Sequence, residues 1–257
     1  MPLLVDQMGR EVNVPDRPQR IISLVPSQTE LLYDLGLTTE VVGVTKFCIH
    51  PENWRKEKTV VGGTKQVHFD IIEELQPDLI IGNKEENEEG FIKELQSKYP
   101  VWMSDIESLS DALDMIEAIG EITCKIKEAE ALVVNILSEF SELEAVTQLK
   151  KAVYLIWKKP YMAAGNQTFI QEMLEQAGYE NLVKDVRYPE LSKKRLVELQ
   201  PEVLLLSSEP YPFKDKHIQE LKEVLPNTDI RLVDGEMFSW YGSRLLKAPG
   251  YFKSLRG

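Results

Sequence analysis

The stretch Asp234–Arg244 reads DGEMFSWYGSR and crowds Phe238, Trp240 and Tyr241 beside Ser239 and Arg244. Large rigid rings with polar tips are costly to leave in water. Gathered in one loop, they suit recognition of a broad, partly apolar ligand, with a few polar side chains as anchors. Covalent chemistry has less support. Ser27 and Glu30 have the spacing of a helix capping box, which satisfies backbone donors without any ligand, so no Ser-His-Asp nucleophile is inferred. Gly62-Gly63-Thr64-Lys65 lacks the full G-x-x-x-x-G-K-[ST] pattern of a phosphate loop and is read as a tight turn. His50, His68 and His217 have no second ligand three or four residues on, so no metal site is expected. The run Glu85, Glu86, Glu88 and Glu89 reads as a solvated helix start. Cys48 and Cys124 stand in no metal spacing and read as unpaired thiols. No general base stands out beside a reacting group, and an enzyme is not expected.

Those residues fall on the loops of an alternating strand and helix pattern. A motif recurs: Glu74–Ile81 is ELQPDLII and Glu198–Leu205 is ELQPEVLL. Each copy ends a helical pattern at Gln-Pro, because proline cannot continue a helix, and then enters a short apolar run suited to a strand buried on both faces. Farther on, FIKEL (Phe91–Leu95) and HIQEL (His217–Leu221) follow at closely matching offsets, so the chain is read as two similar lobes. The first is predicted to open with a hairpin, Leu3–Val5 and Glu11–Val14, followed by strands at Arg20–Leu24, Val41–Val44, Thr59–Val61, Leu79–Ile81 and Val101–Met103. The second repeats the plan with strands at Ala152–Trp157, Val203–Leu206 and Ile230–Val233. From Leu109 to about Leu143, apolar residues recur in steps of three, four and seven, which predicts one long amphipathic helix with Gly120 its only soft spot. The expected fold class is therefore α/β: two Rossmann-like lobes with mostly parallel sheets, joined by one long helix, with a ligand cleft between the lobes. The expected domains are 1–107, a connecting helix 108–147, and 148–257.

In open α/β sheets, ligands bind outside the carboxyl ends of the strands. That rule selects Phe47, His50, Thr64, Lys65, Asn83 and Lys84 in the first lobe. In the second it selects Tyr161, Arg187, Tyr188, Phe238, Ser239, Trp240, Tyr241 and Arg244. Lys46, Lys65, Lys84, Arg187 and Arg244 on this rim would suit an anionic chelate or a phosphate-bearing ligand. The chain as a whole carries 30 Lys and Arg against 42 Asp and Glu in 257 residues, a formal charge of −12, which disfavours nucleic acid and anionic lipid as partners. No apolar run approaches the ~18 residues of a membrane helix. Charged residues interrupt the first twenty, so no secretory signal is read there.

RIISLVPSQTELLYDLGL (Arg20–Leu37), VVGVT followed by HP (Val41–Pro51), VGGT (Val61–Thr64), LQPDLII, PYMAAGNQTFIQEMLEQAGYENLVKD (Pro160–Asp185) and LQPEVLL together resemble the periplasmic substrate-binding proteins for cobalamin and ferric siderophores. The likeness covers nearly the whole chain and is nearest to the cobalamin-binding branch. The resemblance implies capture of a corrinoid or ferric siderophore and delivery to an ABC permease driven by its ATPase. It also implies no covalently bound cofactor, no catalysis, and a monomer in the periplasm or anchored outside the cytoplasm. That branch places a Trp where this chain has Thr64. The family's two docking carboxylates correspond to Asp70 and Lys194, so Asp70 is the one that remains. An intracellular carrier or sensor of the same ligands is the alternative, with a tetrapyrrole metal-handling enzyme behind it.

Overall fold

A computed structural model describes residues 3–144 and 146–256. Residues 1, 2, 145 and 257, which fall within the expected domain spans, lie outside it. The chain forms two compact units. The first takes in residues up to Ile106, Ser110–Ile136 and Tyr241–Arg244; the second takes in Glu107–Leu109, Leu137–Trp240 and Leu245 onward.

Unit 1 opens with the expected hairpin, β1 (Leu3–Val5) antiparallel to β2 (Glu11–Asn13). The Asp6 carboxylate closes its turn by accepting from the amides of Met8 and Arg10 at 3.0 and 2.9 Å. There follow β3 (Ile21–Ser23), α1 (Pro26–Asp34), β4 (Val41–Val44), α2 (Trp54–Glu57), β5 (Thr59–Val60), α3 (Phe69–Leu75), β6 (Leu79–Asn83), α4 (Glu89–Gln96) and β7 (Val101–Ser104). The sheet order is β5-β4-β3-β6-β7, every pair parallel. A parallel sheet covered on both faces needs continuous apolar strands, and β3, β6 and β7 are buried throughout. Ile22, Ile80, Val101 and Met103 share one core with Ile72 of α3 and Leu95 of α4.

The single connecting helix is a correction. Two helices, α5 (Leu109–Ile122) and α6 (Ile126–Ser141), stand in its place. Cys124 takes a left-handed conformation, φ 58°, which an α-helix cannot contain, and the Lys125 amide turns back to the Gly120 carbonyl at 2.6 Å. Gly120 is an interhelical contact and not a soft spot, because a Cβ there would lie 2.4 Å from that of Ala129. The hydrophobic period runs through the break, which is why the sequence hides it. Helix α6 carries the chain into unit 2.

Unit 2 contains β8 (Lys150–Trp157), β9 (Tyr161–Ala163), α7 (Phe169–Gln176), β10 (Tyr179–Asn181), β11 (Glu190–Leu191), α8 (Lys193–Leu199), β12 (Val203–Ser207), α9 (Asp215–Lys222), β13 (Asp229–Val233) and α10 (Glu236–Ser239). A 3-10 turn (Ser243–Leu246) leads to α11 (Ala248–Arg256). The sheet order is β11-β9-β8-β12-β13, with β10 beside β8. Unlike the sheet of unit 1 it is mixed. β8, β10, β12 and β13 are parallel, whereas β9 returns directly along β8 and is antiparallel to it, and β11 is antiparallel to β9.

The repeated motif has one local structure in both units. Helices α3 and α8 each span seven residues and end at a glutamine in the left-handed region, Gln76 at φ 45°, ψ 58° and Gln200 at φ 48°, ψ 54°. The following proline forbids another helical turn. The acid after it then fixes the neighbouring strand. Asp78 accepts from the amides of Gln19 and Arg20 at 2.7 and 2.8 Å as β3 begins, and Glu202 accepts from the amide of Lys151 at 2.8 Å in β8.

Candidate functional site

In unit 1 the chain leaves β3 toward β4 on one side of the sheet and β6 on the other, the switch point at which open sheets bind ligands. Helix α1 starts there, and the expected cap is corrected. Pro26, whose fixed φ suits a first helical position, begins the helix, Val25 is its N-cap, and no side chain caps it. Ser27 Oγ is buried without a hydrogen bond among the described residues. Glu30 instead accepts from Arg244, Nε to Oε2 at 2.8 Å and Nη2 to Oε1 at 2.7 Å, both side chains under a tenth exposed. Gly242 makes this approach possible, because its φ of 132° is open to glycine and a Cβ would meet the Ser27 carbonyl at 3.2 Å. Tyr241 is also buried, its hydroxyl donating to Glu86 Oε1 at 3.3 Å.

After β4, Phe47 is 50% exposed and lies against Gly63 of the expected tight turn, with Lys46 Nζ 5.1 Å from its ring centroid. Ile49 beside it is exposed, and His50 is half-buried. Thr64 is half-buried and its carbonyl accepts from Asn87 Nδ2 at 3.0 Å, while Lys65 donates to the Glu85 carbonyl at 2.8 Å. Asn83 is buried, so it organises the loop from within. Its Oδ1 accepts from the amides of Glu85 and Glu86, and its Nδ2 donates to Ser104 Oγ at 3.0 Å. Lys84 pairs with Asp105 at 2.6 Å.

In unit 2 the aromatic loop is not an exposed face. Phe238 is fully buried between Tyr154 and Phe252, ring centroids 5.1 and 5.0 Å away, and is core. Trp240 is buried and donates through Nε1 to Glu209 Oε1 at 2.8 Å, which also accepts from Ser239 Oγ at 2.7 Å. Burial pushes the Glu209 carboxyl above the usual carboxylate range against the pull of those donors. The exposed-aromatic argument fails here because composition cannot say whether a ring faces water or its own core.

Tyr161 is buried, its hydroxyl donating to Glu220 at 3.2 Å, and desolvation first, then that carboxylate, push it up to about 12. Glu220 is held down to about 2 by its hydrogen bond from Lys158. Arg187, at φ 63°, donates to the Gln167 carbonyl at 3.0 Å and lies 3.3 Å from Glu107, and Tyr188 is half-buried. His217 is buried beside Tyr211 and Phe213 and accepts from the Lys214 amide through Nδ1, a structural role. Among the described residues, the aromatic that unit 2 does expose at a carboxyl strand end is Trp157, 39% exposed at the end of β8 and edge-on to Tyr211 at 5.6 Å. Sequence reasoning missed it because it closes an apolar run and reads as more strand; the signal available was its position at the carboxyl end. Among the described residues no group of three or more His, Cys, Asp or Glu is placed to hold a metal ion.

Asp70 is exposed in the first turn of α3. Lys194, at the matching place on α8, lies 3.8 Å from Glu198.

The sequence pattern of the periplasmic binding proteins matches residues 21–228. The chain belongs to the periplasmic binding protein family. Among relatives of this binding protein, the uncharacterized ABC transporter substrate-binding lipoprotein YvrC of Bacillus subtilis is 27% identical over 212 residues, covering 78% of this chain and 67% of that protein. The vitamin B12-binding protein of Pectobacterium carotovorum is 23% identical over 239 residues, covering 90% and 86%. Two solved structures share the fold. A periplasmic heme-binding protein from Pseudomonas aeruginosa has a TM-score of 0.80 at 20% identity, covering 93% of this chain and 92% of that one. A protein of an ABC-type Fe3+-hydroxamate transport system from Saccharomonospora viridis has a TM-score of 0.78 at 19% identity, covering 100% and 99%.

Proposed function

We propose that this chain is the substrate-binding component of an ABC-type uptake system, that it works outside the cytoplasm, and that it takes a corrinoid or ferric siderophore without catalysing a reaction. Membership of the periplasmic binding protein family and the naming of its relatives as a substrate-binding lipoprotein and a vitamin B12-binding protein support this reading. The observation that supports ligand binding in each unit, taken by itself, is an exposed aromatic at a carboxyl strand end, Phe47 in unit 1 and Trp157 in unit 2. Broad, partly apolar ligands are bound by such faces with few polar anchors. Asp70 docks the permease, and exposure on α3 leaves its carboxylate accessible.

Titration of the protein with cyanocobalamin and with a panel of ferric siderophores, followed by tryptophan fluorescence, tests the binding. Saturable quenching at sub-micromolar concentration, about −8 kcal/mol or better, is expected for one of them. Trp157→Ala and Phe47→Ala each weaken it by tenfold or more in a folded protein. Absence of binding to every chelate by folded protein would count against this reading. Asp70→Lys lowers transport in a reconstituted system if the docking assignment holds, and unchanged transport removes it.

A further inference from the structure

The charges on the candidate loops carry an inference about the ligand, one that rests on the proposed function. Four of the cations that could meet an anionic chelate are already held by carboxylates of their own unit. In unit 1, Arg244 is locked bidentate on Glu30 away from solvent, and Lys84 is 2.6 Å from Asp105. In unit 2, Lys158 is nearly buried against Glu220, and Arg187 faces Glu107 at 3.3 Å. An arriving anion would have to compete with a carboxylate at each of these places, and at Arg244 it would have to displace and strand a buried one. Lys46 and Lys65 are oriented otherwise, the first over the Phe47 ring and the second onto the Glu85 carbonyl. The whole chain carries a formal −12, which disfavours the approach of anions at a distance as well.

We infer that the ligand bound here is a metal chelate without net negative charge, recognised by apolar and aromatic surface with the cations held in place by their carboxylates. A neutral corrinoid or a neutral ferric trihydroxamate meets this description; a trianionic ferric tricatecholate does not.

The test compares cyanocobalamin, ferrichrome as the neutral trihydroxamate and ferric enterobactin as the tricatecholate, by isothermal titration at about 50 and about 500 mM salt. One of the two neutral chelates binds at least tenfold more tightly than ferric enterobactin, and its Kd changes less than about twofold with salt, since few screened charge pairs form. Asp105→Asn frees Lys84 and improves binding of the tricatecholate severalfold while leaving the neutral ligand unchanged. Tighter binding of ferric enterobactin, or a neutral ligand's affinity that collapses with salt, overturns the charge assignment and leaves the uptake reading standing. Failure of all three to bind folded protein overturns the uptake reading for these ligand classes, and the charge assignment with it.

Discussion

Arg244 and Glu30 lie 214 residues apart in sequence and meet through two charge-assisted hydrogen bonds of 2.8 and 2.7 Å, out of reach of solvent. The pair clasps the returning segment Tyr241–Arg244 to helix α1 within unit 1. Removing one partner leaves the other charged and desolvated, which costs about 3–5 kcal/mol, whereas replacing both with apolar residues of similar volume costs much less. Glu30→Leu and Arg244→Leu are each expected to lower the midpoint of urea unfolding strongly, and the double variant to recover most of the loss. Additive effects of the two singles would show that the charges are not coupled.

Two carboxylates give opposite pH dependences. Burial raises the folded-state pKa of Glu209, so its contribution is fully present below the usual carboxylate value and is lost as pH rises through the raised one. Glu220 is held down to about 2, so its contribution is present above the ordinary value and is lost as pH falls toward 2. Stability of Glu209→Gln relative to the parent should therefore rise with pH above about 4.5, with the emission of Trp240, which Glu209 accepts from, losing its pH response in the same range. Lys158→Met should weaken the acid-side dependence at Glu220, with Lys193 and Tyr161 keeping part of it. Unfolding free energies measured from pH 3 to 8 check both signs.

At the α5–α6 elbow, Gly120 admits Ala129 at a distance no side chain tolerates. Gly120→Ala gains helix propensity of about 1 kcal/mol but forces the helices apart, and overpacking of this kind costs about 1–3 kcal/mol. A net loss of stability is expected, restored by the second change Ala129→Gly. A stabilised Gly120→Ala protein in thermal unfolding would contradict the close packing.

The acids of the repeated motif are expected to differ in weight. Asp78 accepts from two amides just ahead of β3 and Glu202 from one in β8. At about 1.5–3 kcal/mol for hydrogen bonds involving a charged group, Asp78→Ala should destabilise about twice as much as Glu202→Ala in chemical denaturation. Hydrogen exchange would place the loss at the start of β3 for the first and of β8 for the second. Equal effects would mean that the amides find water as readily as the carboxylate.

What the residues determine by themselves is whatever is set by neighbours along the chain. The Gln-Pro-acid motif ends α3 and α8 at the same left-handed glutamine because proline restricts the residue before it, and the apolar runs after it can only be buried strands. The hairpin, the parallel strands of unit 1 and the family likeness were legible for that reason. Features that depend on what lies across space were not. The helical period continues through Cys124, so the elbow between α5 and α6 is invisible until the backbone shows its φ of 58°. Ser27-x-x-Glu30 has the letters of a cap, but Glu30 answers to Arg244, a partner no local rule can name. Phe238 and Trp157 have similar local credentials, and only the tertiary structure decides that the first is core and the second faces water at a strand end. Burial and charge pairing are properties of the folded neighbourhood, so the tertiary structure alone decides which rings and which cations remain available to a ligand.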